Sequence, residues 1–133
     1  TITEIVRFKV GDNVTAVLDS MNVGEALNAA KPQEGKRRAG AILLVDDENK
    51  LTGIFTDGDL RRLVIDSSNP MEQTIGEVAT KNPRHLNATA LVQDAQQLVT
   101  QYRVDEIPIV DANNSPIGLI DVQDLIAMKV VTE

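Results

Sequence analysis

One stretch of this chain occurs twice, and the duplication limits the fold more than any other feature of the sequence. Gly53-Ile54-Phe55-Thr56-Asp57-Gly58-Asp59-Leu60 lies over Gly118-Leu119-Ile120-Asp121-Val122-Gln123-Asp124-Leu125 at a spacing of 65. The same spacing sets Leu44-Val45-Asp46 on Ile109-Val110-Asp111. Upstream, Glu25-Ala26 corresponds to Asp94-Ala95 at a spacing of 69, so the first copy carries four extra residues around Ala30 to Gly35, beside Pro32. Lengthening a polar, proline-bearing connection costs little, because closure entropy grows slowly with loop length. A unit of ~60 residues has only a marginal core of its own. The two copies are therefore expected to pack as one body.

Each copy reads as β-α-β-β-α. A short strand (about 14–18, and the 85–87 region) leads to a helix (about 22–30 and 91–102). In the second copy Leu91, Ala95, Leu98, Val99 and Tyr102 recur at helical spacing and mark its apolar face. A strongly apolar strand follows (41–45 and 107–110), then a turn of hairpin length starting at Asp46 or Asp111, then a second strand (51–55 and 117–120). That strand runs into a helix opening at Thr56–Asp59 or Asp121–Asp124, with Leu60, Leu63 and Val64, or Leu125, Ile126 and Met128, as its buried side. The expected organisation is an N-terminal strand or extended arm (1–13), a first repeat (14–65), a connector with a short helix near 75–79 (66–82), a second repeat (83–129) and a tail (130–133).

Composition removes several classes of function. The 133 residues include no cysteine and one histidine, His85, which excludes disulfide scaffolds, thiolate zinc and multi-histidine metal sites. With 20 acidic against 13 basic residues the net charge is -7, the wrong sign for a protein that binds by neutralising nucleic-acid phosphates. The aromatics are Phe8, Phe55 and Tyr102 alone, too few for a base-stacking platform. The longest apolar-plus-glycine run, 39–45, is far short of the ~20 residues a membrane span needs, so no membrane role is expected. The sequence starts at Thr1 without methionine, as a processed chain or an excised piece would.

The chemistry concentrates where a strand meets a helix. A glycine allows close backbone approach, and a helix start offers free N–H groups and the positive end of the dipole. Thr56 and Asp59 place a hydroxyl and a carboxylate on one side of the first turn, suited to a ribose diol; the same pair is also a common capping box. Arg61 and Arg62 follow and are suited either to phosphate or to a solvated helix face. In the second copy Asp121 replaces the hydroxyl, so an anion would meet an added negative charge there. The two copies are expected to be unequal.

These residues carry a resemblance. The repeated pattern Gly-apolar-apolar-[Ser/Thr]-x-x-Asp-Leu, with Ile107-Pro108-Ile109-Val110-Asp111 in the second copy, resembles a tandem cystathionine-β-synthase-type (CBS) domain pair, the Bateman module, over about 12–128. The string Gly53 to Arg62 is similar to the regulatory C-terminal region of bacterial arabinose 5-phosphate isomerases, enzymes upstream of the lipopolysaccharide sugar Kdo. The resemblance implies an α/β (α+β) fold of two repeats packed as a pseudo-twofold pair, with ligands in the cleft between them. By it Thr56 and Asp59 fall on ribose-binding positions and Asp124 on the second aspartate, while the backbone around Ile42 and Ile107, beside Pro108, faces a base edge. Leu43 stands where Pro108 stands in the second copy. Arg84 and His85 enter from the linker toward phosphate.

The resemblance further implies a cytoplasmic, dimeric, regulatory piece that needs no cofactor and catalyses nothing itself. Its parent would carry a sugar-isomerase (SIS) domain, and its ligand would be an adenine nucleotide or a cytidine nucleotide-sugar. Three alternatives stand beside it, one of them a CBS pair that belongs to another enzyme or to a transporter. A CBS pair can serve as a dimerisation scaffold without ligand, toward which Asp121 and Leu43 both lean. The run Ile54 to Asp59 also resembles the Asp-x-Asp start of haloacid-dehalogenase phosphatases, but the residues that should follow it are absent.

Overall fold

Both faces of the central strands are buried, which is why they read as unbroken apolar runs rather than as alternating ones. The computed structural model describes residues 1–31 and 39–127, apart from the side chains of Asp124 and Ala127. In the first half β2 (Thr15–Leu18) pairs in parallel with β3 (Ala41–Val45), and β3 pairs antiparallel with β4 (Leu51–Thr56). In the second half β6 (Leu86–Asn87), β7 (Glu106–Val110) and β8 (Pro116–Asp121) repeat this arrangement. Each sheet is completed to four strands by a short edge strand, β5 (Thr80–Lys81) on β4 and β1 (Phe8–Lys9) on β8. The N-terminal segment thus edges the second sheet rather than the first.

The helices are α1 (Val23–Ala29), α2 (Asp57–Asp66), α3 (Ile75–Val78), α4 (Val92–Tyr102) and α5 (Val122–Ala127). Along β3 the side chains alternate. Ile42 and Leu44 face α1 and α3 in a cluster with Val17, Val23, Phe55 and Ile75, while Ala41 and Leu43 face the other half. The cluster between the halves joins Leu43, Leu51 and Ile54 to Phe8, Val110 and Leu119. Ile107, Ile109 and Ile120 gather with Ala95 and Leu125 under the second half's helices. This three-part core ties the halves together, in keeping with what each small unit needs.

The hairpins close in the same way. Asp46 Oδ1 accepts the amides of Glu48 and Lys50, and Asp111 Oδ1 those of Asn113 and Ser115. Asn49 and Asn114 then take the left-handed conformation, at φ 63° and 64°, that asparagine tolerates.

Three side chains expected on buried faces are not there. Leu60 and Leu63 pack on the first core, but Val64, a further 100° around the helix, is 53% exposed. Leu91 precedes the first turn of α4 and is 50% exposed; Tyr102, in its last turn, is 41% exposed under an arginine. Met128, also expected on a buried face, lies outside the described residues, as do most of the four-residue insertion and the 130–133 tail.

Candidate functional site

The two strand-to-helix junctions come together at one cleft of about 990 Å³ between the halves. The amide of Asp57 donates to the Gly40 carbonyl at 3.2 Å, and its counterpart, the amide of Val122, donates to the Asp105 carbonyl at 2.9 Å. Each link draws the start of a helix against the residue before a central strand, so both helix mouths open on the same space.

At the first mouth the capping box is complete. Asp59 N–H donates to Thr56 Oγ1 at 3.1 Å, and Thr56 N–H donates to Asp59 Oδ2 at 3.0 Å. Asp59 also pairs with Arg62 and lies 3.4 Å from the Thr80 hydroxyl. Its side chain is only 6% exposed. The carboxylate is therefore spent on the cap and its neighbours, while Thr56 and Arg62 line the cleft itself. Thr56 accepts through its oxygen and keeps a proton to donate.

The other candidates separate into three groups. Arg84 lines the cleft with its guanidinium 3.3 Å from the centre of the Tyr102 ring, a cation–π contact that fixes the side chain. Ile42, Ile107 and Pro108 are buried and do not line the cleft, which the two central-strand segments reach instead at Glu106 of β7 and at Gly40, just ahead of β3. Arg61 is exposed away from the cleft, and His85, also outside it, holds the Pro83 carbonyl through Nδ1 at 3.0 Å. The side chain of Asp124 is outside the described residues.

Several cleft residues had not stood out in the sequence. Arg103, at the left-handed end of α4 (φ 52°), adds a third arginine. Asp105 and Glu106 line the cleft where the first copy has Gly40 and Ala41, a difference that the spacing of 65 makes visible in the sequence. Burial, with the nearby carboxylates of Asp121, Asp105, Asp57 and Asp59, pushes the Glu106 carboxyl up to about 7. Among the described residues no group of three or more carboxylate or imidazole side chains is arranged to hold a metal ion. The cleft is thus a polar site with arginines, a capped hydroxyl and an acidic wall, suited to binding.

Comparison with known proteins fits this architecture. The CBS domain family matches residues 3–66 and 75–130, and the chain belongs to that family as a tandem pair. It is 30% identical over 122 residues to the arabinose 5-phosphate isomerase KdsD of Pseudomonas aeruginosa, covering 92% of this chain and 36% of that protein. It is 33% identical over 130 residues to the uncharacterised protein RP505 of Rickettsia prowazekii, covering 91% of this chain and 40% of that protein. The chain therefore spans two fifths or less of these relatives. Among solved structures, CBSX2 in complex with AMP superposes with a TM-score of 0.74 at 22% identity, over 98% of this chain and 96% of that one. Among the described residues no helix is long and apolar enough to cross a membrane.

Proposed function

We propose that this CBS pair is the regulatory part of a cytoplasmic sugar-phosphate isomerase of the arabinose 5-phosphate type, and that its cleft binds an adenine nucleotide or a cytidine nucleotide-sugar. The observation that carries this reading is the convergence of Thr56, Arg62 and Arg84, from both sides of the linker, on one cleft. A hydroxyl at a helix mouth suits a sugar, and guanidinium groups suit phosphate. The similarity to KdsD supports the choice of parent, with catalysis left to an attached SIS domain. Val64 and Ile65, exposed side by side on α2, support a homodimer by offering an apolar surface to a second copy. Sedimentation of the chain as a monomer at every concentration would exclude that dimer.

Regulation requires the ligand to prefer one state of the parent, since equal affinity for both shifts no equilibrium. Thermal shift against adenine and cytidine nucleotides and nucleotide-sugars tests the binding. A ligand at 100 times its Kd stabilises by ~2.7 kcal/mol, a shift that is easily read. The scaffold reading has its own support in Asp59, whose carboxylate is already fully engaged, and in the acidic second wall. No shift with any nucleotide would favour it.

A further inference from the structure

The two walls of the cleft differ in charge at three matched positions. Gly40, Ala41 and Thr56 in the first half correspond to Asp105, Glu106 and Asp121 in the second. Glu106 and Asp121 are direct cross-strand partners, as Ala41 and Thr56 are. Like charges in that relation repel, and partial burial leaves less water to screen them. Glu106 Oε2 is itself buried and has no hydrogen-bond partner among the described residues. An ionised carboxylate is costly in that position and a protonated one is far less so.

The charged groups around Glu106 come from every neighbouring element. Asp121 faces it from β8 and Asp105 adjoins it in the chain. Asp57 and Asp59 add negative charge from α2, with Arg62 holding Asp59 through Nη2 alone while its largely exposed guanidinium lines the cleft. Arg84 and Arg103 line the same cleft from the linker and the end of α4, beside Tyr102. Burial and this acidic surrounding hold the carboxyl at about 7, within reach of ordinary pH changes.

We propose, resting on the nucleotide reading above, that the cleft is a proton-linked binding site in which a phosphate-bearing ligand enters together with a proton that settles on the Glu106–Asp121 pair. A phosphate monoester brings about -1.5 to -2 charges. Docked against the arginines, it raises the cost of every ionised carboxylate on the opposite wall, so the pair takes a proton from the buffer. That proton belongs to the pair rather than to either residue. Affinity then falls as pH rises, by up to about tenfold per pH unit for one proton.

The test is calorimetric titration of the chain with AMP between about pH 7 and about pH 8.5, above the second ionisation of the phosphate near ~6. Paired buffers of different ionisation enthalpy count the protons. The wild-type Kd should rise roughly tenfold across this range with a buffer-dependent heat, whereas Glu106→Gln should hold its Kd within about twofold with no buffer dependence. Asp121→Asn should flatten the slope as well. Should Glu106→Gln fail to fold, Glu106→Ala, which copies Ala41 of the first half, takes its place. Binding that is flat with pH in the wild type, or equally steep in the Glu106 variant, overturns the linkage and leaves the nucleotide reading standing. Absence of AMP binding at every pH in both proteins overturns the adenine-nucleotide reading and the linkage with it.

Discussion

Ile2 and Ile75 hold equivalent places on opposite halves of the molecule. The Ile75 amide donates to the Met21 carbonyl at 2.8 Å, and the Ile2 amide donates to the Ala90 carbonyl at 2.7 Å, Met21 and Ala90 being matched positions ahead of α1 and α4. Both isoleucines are 0% exposed. Each is followed by the two-residue strand that edges the same sheet, so the segment preceding each repeat docks on the other repeat.

This exchange makes the halves interdependent. Ile2→Ala and Ile75→Ala should each cost about 2–5 kcal/mol in urea unfolding, the range for emptying a fully buried isoleucine site. A single transition is expected in both variants. Two separate transitions, or a loss confined to one half, would contradict a shared core.

The glycines of the repeated motif serve the same edge strands. A Cβ at Gly118 would stand 2.8 Å from the Phe8 carbonyl oxygen, and one at Gly53 3.1 Å from the Thr80 carbonyl oxygen. Gly118→Ala should therefore lose about 1–3 kcal/mol, the usual cost of forcing extra volume into a packed site, with Gly53→Ala losing less. Denaturant midpoints rank the two, and the reverse order would show that edge-strand approach is not what these glycines provide.

Much of this was readable in advance, and the remainder has identifiable causes. The spacing between Gly53 and Gly118 exposed the duplication, and the apolar runs at Ala41 and Ile107 located the central strands. The Thr56–Asp59 capping box was likewise visible as a local pattern. The exchange made by Ile2 and Ile75 was not, because one turn of helix and a two-residue strand carry no periodicity and the pairing is non-local. The motif glycines looked like room for a ligand, since sequence cannot tell one close neighbour from another. Glu106 was overlooked because a single carboxylate at a strand edge normally faces water, and only the fold sets Asp121 across from it.

Stability should carry the signature of Glu106. Its carboxyl is raised from 4.5 to about 7 in the folded chain, so the native state holds more protons than the unfolded state across that window. The contribution is present in full below 4.5 and is lost as pH rises through about 7. Glu106→Gln should accordingly raise Tm relative to wild type at about pH 8, with the gain shrinking toward about pH 5. A Tm difference that does not change with pH would show that the carboxyl titrates normally.

The central claim is that Arg62, at the helix mouth, and Arg84, across the cleft, form one phosphate-binding site, and a calorimetric titration with AMP tests it most directly. One AMP should bind per cleft. Arg62→Ala should weaken it about tenfold or more, as expected for losing a charge-assisted hydrogen bond, and Arg61→Ala, on the neighbouring exposed position, should weaken it less. No binding, or equal losses from the two arginines, would contradict a phosphate site in this cleft.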